Sequence, residues 1–274
     1  MKTIQKAQWK AMLKDTILKE MRSKTLIFIF IATTLIIFLA HALLKLLVQS
    51  SDANTAMMIT GANNLSLMFS LINFWSVIVA GIFGISSVRS DFKSNIIYQY
   101  LSFPISRTQY MFSRIIGTWI LVYSYYLYAY LLSALLFSVA TNTMALTVSH
   151  LVSMLLMGLY VLLVILISFF YSMFVGKIAS FIFLIVTVLT ISISTSNMRI
   201  VEFADYAKNL NIFRVIGLIV YFFLPRINYV SELAGAVASN EVIKLNVGLE
   251  TLHLVVTTAL FVFIANWVVR KKNF

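Results

Sequence analysis

The chain reads as an all-α polytopic membrane protein, and three observations carry that reading. Hydrophobic residues make up 61% and charged residues only 11%, with a mean hydropathy of +0.95. Soluble domains hold about 45–50% apolar and about 25% charged residues. The apolar residues fall in runs of about 20, the length that crosses a bilayer core. The basic residues behind the net charge of +12 gather at the ends of those runs, as membrane topology signals do. One membrane domain, 1–274, follows, because nothing outside the runs is long enough for a separate large domain. The positive charge therefore points to lipid headgroups and not to nucleic acid. The absence of Cys excludes disulfides, thiolate metal sites and thiol catalysis.

The N-terminal stretch from Met1 to Lys24 carries seven Lys or Arg and two acids, Asp15 and Glu20. The apolar run behind it is too long, and too poor in small residues at its end, for a cleavable signal. Ile4, Ala7, Ala11, Leu18 and Met21 share one helical face, so the spacing predicts an interfacial helix on the membrane surface.

The first span is predicted over Leu26–Val48. His41 and Lys45 share a face near its far end, where the Lys can snorkel to the interface. A second span covers Leu65–Val88. Ser66, Ser70, Asn73, Ala80, Gly84 and Ser87 form a small and polar stripe along it, which suits close helix packing or a pathway lining. The third span, Ile115–Ala140, sets Trp119, Tyr123, Tyr126 and Tyr130 on one face. Several lie too deep for an interfacial aromatic belt, so their hydroxyls need internal partners or a wet cavity. Asn73 and these four residues are the candidate pathway or dimer face, with packing between helices as the plainer alternative.

His150–Phe174 and Ile178–Thr195 supply the fourth and fifth spans, joined at the basic turn Gly176-Lys177. That turn is not a phosphate loop, because Tyr171 and Ile178 stand where Gly and Ser or Thr are required. Next, Ile212–Leu224 is apolar but short for a span and ends before Pro225, so it reads as a re-entrant or interfacial helix. The sixth span, Leu252–Val269, closes on Arg270-Lys271-Lys272. Basic residues at both termini place both in the cytoplasm, which requires an even number of spans.

The polar island RSDFKSNIIYQYLSFPISRTQYMFSR, from Arg89 to Arg114, divides spans two and three. Ser90 or Asp91 is predicted to cap a short helix, with Phe92, Ile96 and Tyr100 on its apolar side and Pro104 barring its extension. Such a helix either rests on headgroups or docks a partner. An acidic residue, about ten helical residues, Pro-x-Ser-Arg and a basic residue seven positions later resemble the cytoplasmic coupling segment of type-2 ABC exporter permeases. Asp91 stands where Glu is usual and Arg114 where Lys is common. Pro104, Ser106, Arg107 and Gly117 fall on the pattern, and Ser94-Asn95 replaces a Gly-Thr pair. The span count, the length and the YFFLPRIN stretch extend the resemblance over the chain.

That resemblance implies a dimer, homomeric or with a related permease, served by two copies of an ABC ATPase subunit. It implies ATPase contact through Asp91, Phe92, Ile96, Tyr100 and Arg107. It also implies plasma-membrane residence, with ATP and Mg bound by the partner and no cofactor in this chain. The residues themselves agree that the chain is no enzyme on its own. They offer no paired intramembrane carboxylates, no metal-ligand spacing, no Ser/His/Asp set and no nucleotide loop. An immunity factor or scaffold, or an ion-coupled carrier, are the alternative classes. The missing buried acids count against the carrier.

Overall fold

The computed structural model describes residues 2–50, 62–93, 105–141, 146–200, 211–240 and 246–271. They form helices α1 (Lys2–Met21), α2 (Lys24–Ser50), α3 (Ala62–Lys93), α4 (Arg107–Thr141), α5 (Val148–Phe174), α6 (Lys177–Ile200), α7 (Ile212–Phe223), α8 (Ile227–Ser239) and α9 (Val247–Lys271). No strand occurs among the described residues. Six of the helices, α2 to α6 and α9, are long and apolar enough to cross a membrane.

The centre of the bundle is α5. Of its apolar stretch 67% is buried inside the protein, against 22% for α2 and for α9, which therefore stand at the rim. Small residues bring α3 against α5. A Cβ on Gly84 would overlap Ser168 Oγ and stand 3.4 Å from the Ile165 Cα, so only glycine allows this approach. Ala80, one turn away, is fully buried. The small stripe expected on the second span is thus a packing surface at these two positions.

Helix α2 is held by a polar belt. Trp75 Nε1 donates to Thr33 Oγ1 at 2.8 Å and to Tyr125 Oη at 2.9 Å, and Thr33 also bonds Tyr125. His41 turns inward to Ser133 at 3.2 Å, whereas Lys45 is exposed. The two residues read as one face part company at the helix end.

Helices α3 and α4 have 32 and 35 residues, about 48 and 52 Å at the helical rise, so both outrun a hydrocarbon core of about 30 Å. Their overhang meets α1 at the end of the bundle that also holds the last turn of α9. There Thr108 Oγ1 donates to Asn266 Oδ1 at 2.8 Å. This is the basic end, and the opposite one is the far end.

The apolar face expected on the N-terminal helix points outward where it is described, and one other element differs from expectation. The buried stripe of α1 is Met12, Thr16 and Glu20, while Ala11, Leu18 and Met21 are exposed. Polar groups on α4 and α3 select that stripe, leaving the apolar face outward (Ile4 and Ala7 lie outside the described side chains). The Ile212–Leu224 helix exists as α7, ending ahead of Pro225, but it is half of a pair. Helix α8 follows at a 70° bend. Both stay at the far end: Ser194 near the end of α6 bonds the Gly217 carbonyl, and Arg226 pairs with Glu250 in the first turn of α9. Ser149 at the start of α5 bonds Asn240.

Candidate functional site

The base of the polar island is a buried charge cluster joining three helices. Asp91 lies in the last turn of α3 with no exposure, and Arg114 lies in α4 with 1%. Their side chains pair at 2.7 Å through Arg114 Nη2 and Asp91 Oδ2. The Tyr110 hydroxyl donates to the same oxygen at 2.8 Å. From α1, Lys19 pairs with Asp91 Oδ1 and donates to Ser90 Oγ at 2.6 Å. Arg114 Nη1 in turn donates to Thr16 Oγ1 at 2.8 Å and reaches Asp15 at 3.4 Å. Helix α1 sits close because position 117 is glycine: a Cβ there would stand 2.8 Å from that of Thr16.

The two cations Lys19 and Arg114 are balanced by Asp91 and Asp15. Glu20, 4% exposed beside them, is a third acid. Burial raises its carboxyl above the ordinary range, and the Asp91 charge adds to the rise, against the pull of Lys19 and Arg114.

Asp91 therefore does not cap a new helix. Between Gly84 and Lys93 nothing breaks the turn, and α3 runs straight through. The carboxylate is consumed by Lys19, Arg114 and Tyr110 instead of by free backbone N–H groups. Phe92 is half-buried, packed between the main core and Met12 and Tyr110 of the small cluster under α1. Asp91 has no exposed surface left for an outside contact, whereas Phe92 keeps part of its ring exposed. Ile96 and Tyr100 lie outside the described residues.

Arg107 also binds within the chain, donating from Nη1 to the Arg270 carbonyl at 3.0 Å. A cation on the last carbonyls of α9 complements that helix end. Arg270 Nε answers by donating to Thr108 Oγ1 at 3.2 Å. Ser106 opens α4 with a reciprocal cap: its N–H donates to Gln109 Oε1 at 3.0 Å, and the Gln109 N–H donates to Ser106 Oγ at 3.1 Å. The Ser-x-x-Gln spacing is a readable start signal. It stands inside the Pro-x-Ser-Arg pattern and gives that Ser a local physical task.

The aromatic face of α4 forms one ladder. Trp119 and Tyr123 stack with centroids 5.6 Å apart, Tyr123 and Tyr126 at 6.2 Å, and Tyr126 tilts against Tyr130 at 5.8 Å. Trp119 Nε1 donates to the Gly158 carbonyl at 2.7 Å, and Tyr123 to the Met154 carbonyl at 3.3 Å. Tyr126 donates to Asn73 Oδ1 at 3.2 Å. Tyr130 stacks on Phe69 at 3.7 Å, and its buried hydroxyl has no hydrogen-bond partner among the described residues. The structure puts the ladder between α4 and its neighbours α3 and α5. With Tyr126 and Tyr130 at 1% exposure or less, these two belong to the core and to no surface that a second copy could touch. Trp119 and Tyr123 keep part of their surface open, and Asn73 borders a cavity between α3, α5, α6 and α8.

Among the described residues no three His, Asp or Glu side chains gather where they could hold a metal ion.

The six apolar spans and the helical content define an all-α, multi-pass membrane protein. No family model matches the chain, and no curated protein matches it.

Proposed function

We propose that the chain is the permease subunit of an ABC exporter, driven by a separate ATPase that docks on the 94–104 segment. The observation that carries this reading is the construction of that segment's base. The helix leading into it and the helix leading out are clamped by Asp91, Arg114 and Lys19, and Arg107 ties the last turn of α9 to the same place. A push on a segment mounted this way moves four helices together instead of bending a loop. Such a base suits the transfer of mechanical work between a surface partner and the spans. The basic end is then cytoplasmic, as the charge distribution favours.

Ile96 and Tyr100 are the expected contacts that test docking most directly, since Phe92 also packs against Met12 and Tyr110 within the chain. Each fully buried large side chain contributes about 1.5–3 kcal/mol. The double change Ile96→Ala/Tyr100→Ala should therefore release the ATPase in a detergent pull-down and uncouple ATP hydrolysis in liposomes, with membrane insertion intact. An unchanged complex, or purification of an active chain without any ABC ATPase, sinks the proposal.

A further inference from the structure

The cavity bordered by Asn73 has a volume of about 800 Å³, the upper part of the range for small-molecule sites. Among the described residues its lining contains no Asp, Glu, Lys or Arg. Polarity changes along its length. Thr147, His150, Ser239 and Asn240 edge it at the far end, whereas Phe181, Leu184 and Ile185 of α6 line it towards the basic end. Phe74 is 69% exposed and Leu189 55%, so a mouth opens between α3 and α6 towards the surroundings.

Hydroxyls in this protein's helices usually return to the carbonyl three or four residues back, as Ser76, Ser87, Ser168 and Thr195 do. Ser153, Ser192 and Ser231 line the cavity from three different helices and make no such bond among the described residues. Asn228 joins them from α8. Asn73 has Oδ1 engaged by Tyr126, which leaves its amide N–H groups to donate to an occupant. Polar groups in an apolar bundle need partners, and here a set of them converges on shared space.

We infer that this cavity binds one uncharged amphiphile with a hydroxylated headgroup, the head at the far end and the chain running down between α3 and α6. The neutral lining disfavours a charged head, which would enter the bundle without a counter-ion. The hydroxyls and amides reward a head that both donates and accepts. The apolar lower part takes an alkyl chain that enters sideways through the mouth beside Phe74 and Leu189. Nothing in this site depends on an ATPase partner.

Two photoreactive probes test it: a monoacylglycerol with a diazirine in its chain, and a lysophosphatidic acid bearing the same chain. Each is added in trace to phosphatidylcholine nanodiscs holding the full chain, and adducts are mapped by mass spectrometry. The neutral probe should label peptides of α3 and α6 around Phe74 and Val188 in preference to the charged one. Gly235 lines the cavity, and a Cβ there meets nothing within 4 Å, so Gly235→Phe fills the space without a backbone clash. It should cut that labelling about tenfold and leave labelling of α2 and α9 unchanged. A second variant, Asn228→Ala/Ser231→Ala, keeps the space and removes polar groups, and it should erase the preference for the neutral probe. Equal labelling by both probes in the wild type overturns the inference. So does wild-type labelling in Gly235→Phe, or, should that variant misfold, an undiminished preference in the double variant.

Discussion

Asp91 and Arg114 form a 2.7 Å ion pair with essentially no exposure on either side, joining the last turn of α3 to the third turn of α4. Breaking a buried pair costs up to about 3–5 kcal/mol, although Lys19 still faces Asp91, and Asp15 still faces Arg114, when the other partner is removed. Asp91→Ala should therefore lower the unfolding midpoint in detergent steeply. Arg114→Met should do so too, and the double variant Asp91→Ala/Arg114→Met should recover part of the loss. Strict additivity in that cycle would show that the pair is not coupled.

Glu20 should make stability depend on pH in an unusual direction for a carboxylate. Its folded pKa lies above the ordinary value of about 4.3 because burial disfavours the charge. The protonated form is the one the fold prefers. Its contribution is complete below the unfolded value and is lost as pH rises through the raised folded value. Glu20→Gln keeps the neutral shape and should remove this component from a stability-versus-pH curve. A curve for Glu20→Gln that still falls over the same interval by the same amount would assign the effect elsewhere.

Gly84 and Gly235 should respond oppositely to alanine. At Gly84 the new methyl overlaps Ser168 on α5, and the overpacking costs about 1–3 kcal/mol. At Gly235 there is open space, and alanine adds up to about 1 kcal/mol of helix propensity. Thermal unfolding of the two variants side by side reads the contrast. Equal shifts would mean that α3 and α5 do not approach as described.

The two deepest tyrosines of the ladder should also separate. Tyr126→Phe loses a hydrogen bond to Asn73 and should cost about 0.5–1.5 kcal/mol. Tyr130→Phe removes a buried hydroxyl without a partner among the described residues, so the change should be neutral or stabilising. A loss at Tyr130 as large as that at Tyr126 would reveal a partner for its hydroxyl.

Long apolar periods made the spans legible, and Pro225 marked the end of α7. The face carrying Trp119, Tyr123, Tyr126 and Tyr130 was legible too, because helical spacing assigns side chains to a side. Spacing is silent on what covers that side, and α3 and α5 cover it here. Asp91 was the hard case. Lys19 stands 72 positions before it and Arg114 23 after, so no local pattern distinguishes a buried ion pair from a solvated polar island. The inward stripe of α1 was hidden for the same reason: hydrophobicity set Leu18 and Met21 on the outward face, but the partners on α3 and α4 that hold Lys19 and Thr16 are distant in sequence. The cap at Ser106 went unread, although the local Ser-x-x-Gln spacing signals it.

The seat of α1 on α4 imposes an order on synthesis. Residues 2–21 leave the ribosome before Asp91, Arg114 and Gly117, which complete their setting and are made about 4–20 seconds later at roughly 5–20 residues per second. Until then Lys19 and Glu20 must wait in water or among headgroups, with the outward-facing Leu18 and Met21 holding the helix at the surface. The last helix closes the same end when Arg270 reaches Arg107. The earlier segment is thus locked by one made later, and that one is braced by α9, made later still.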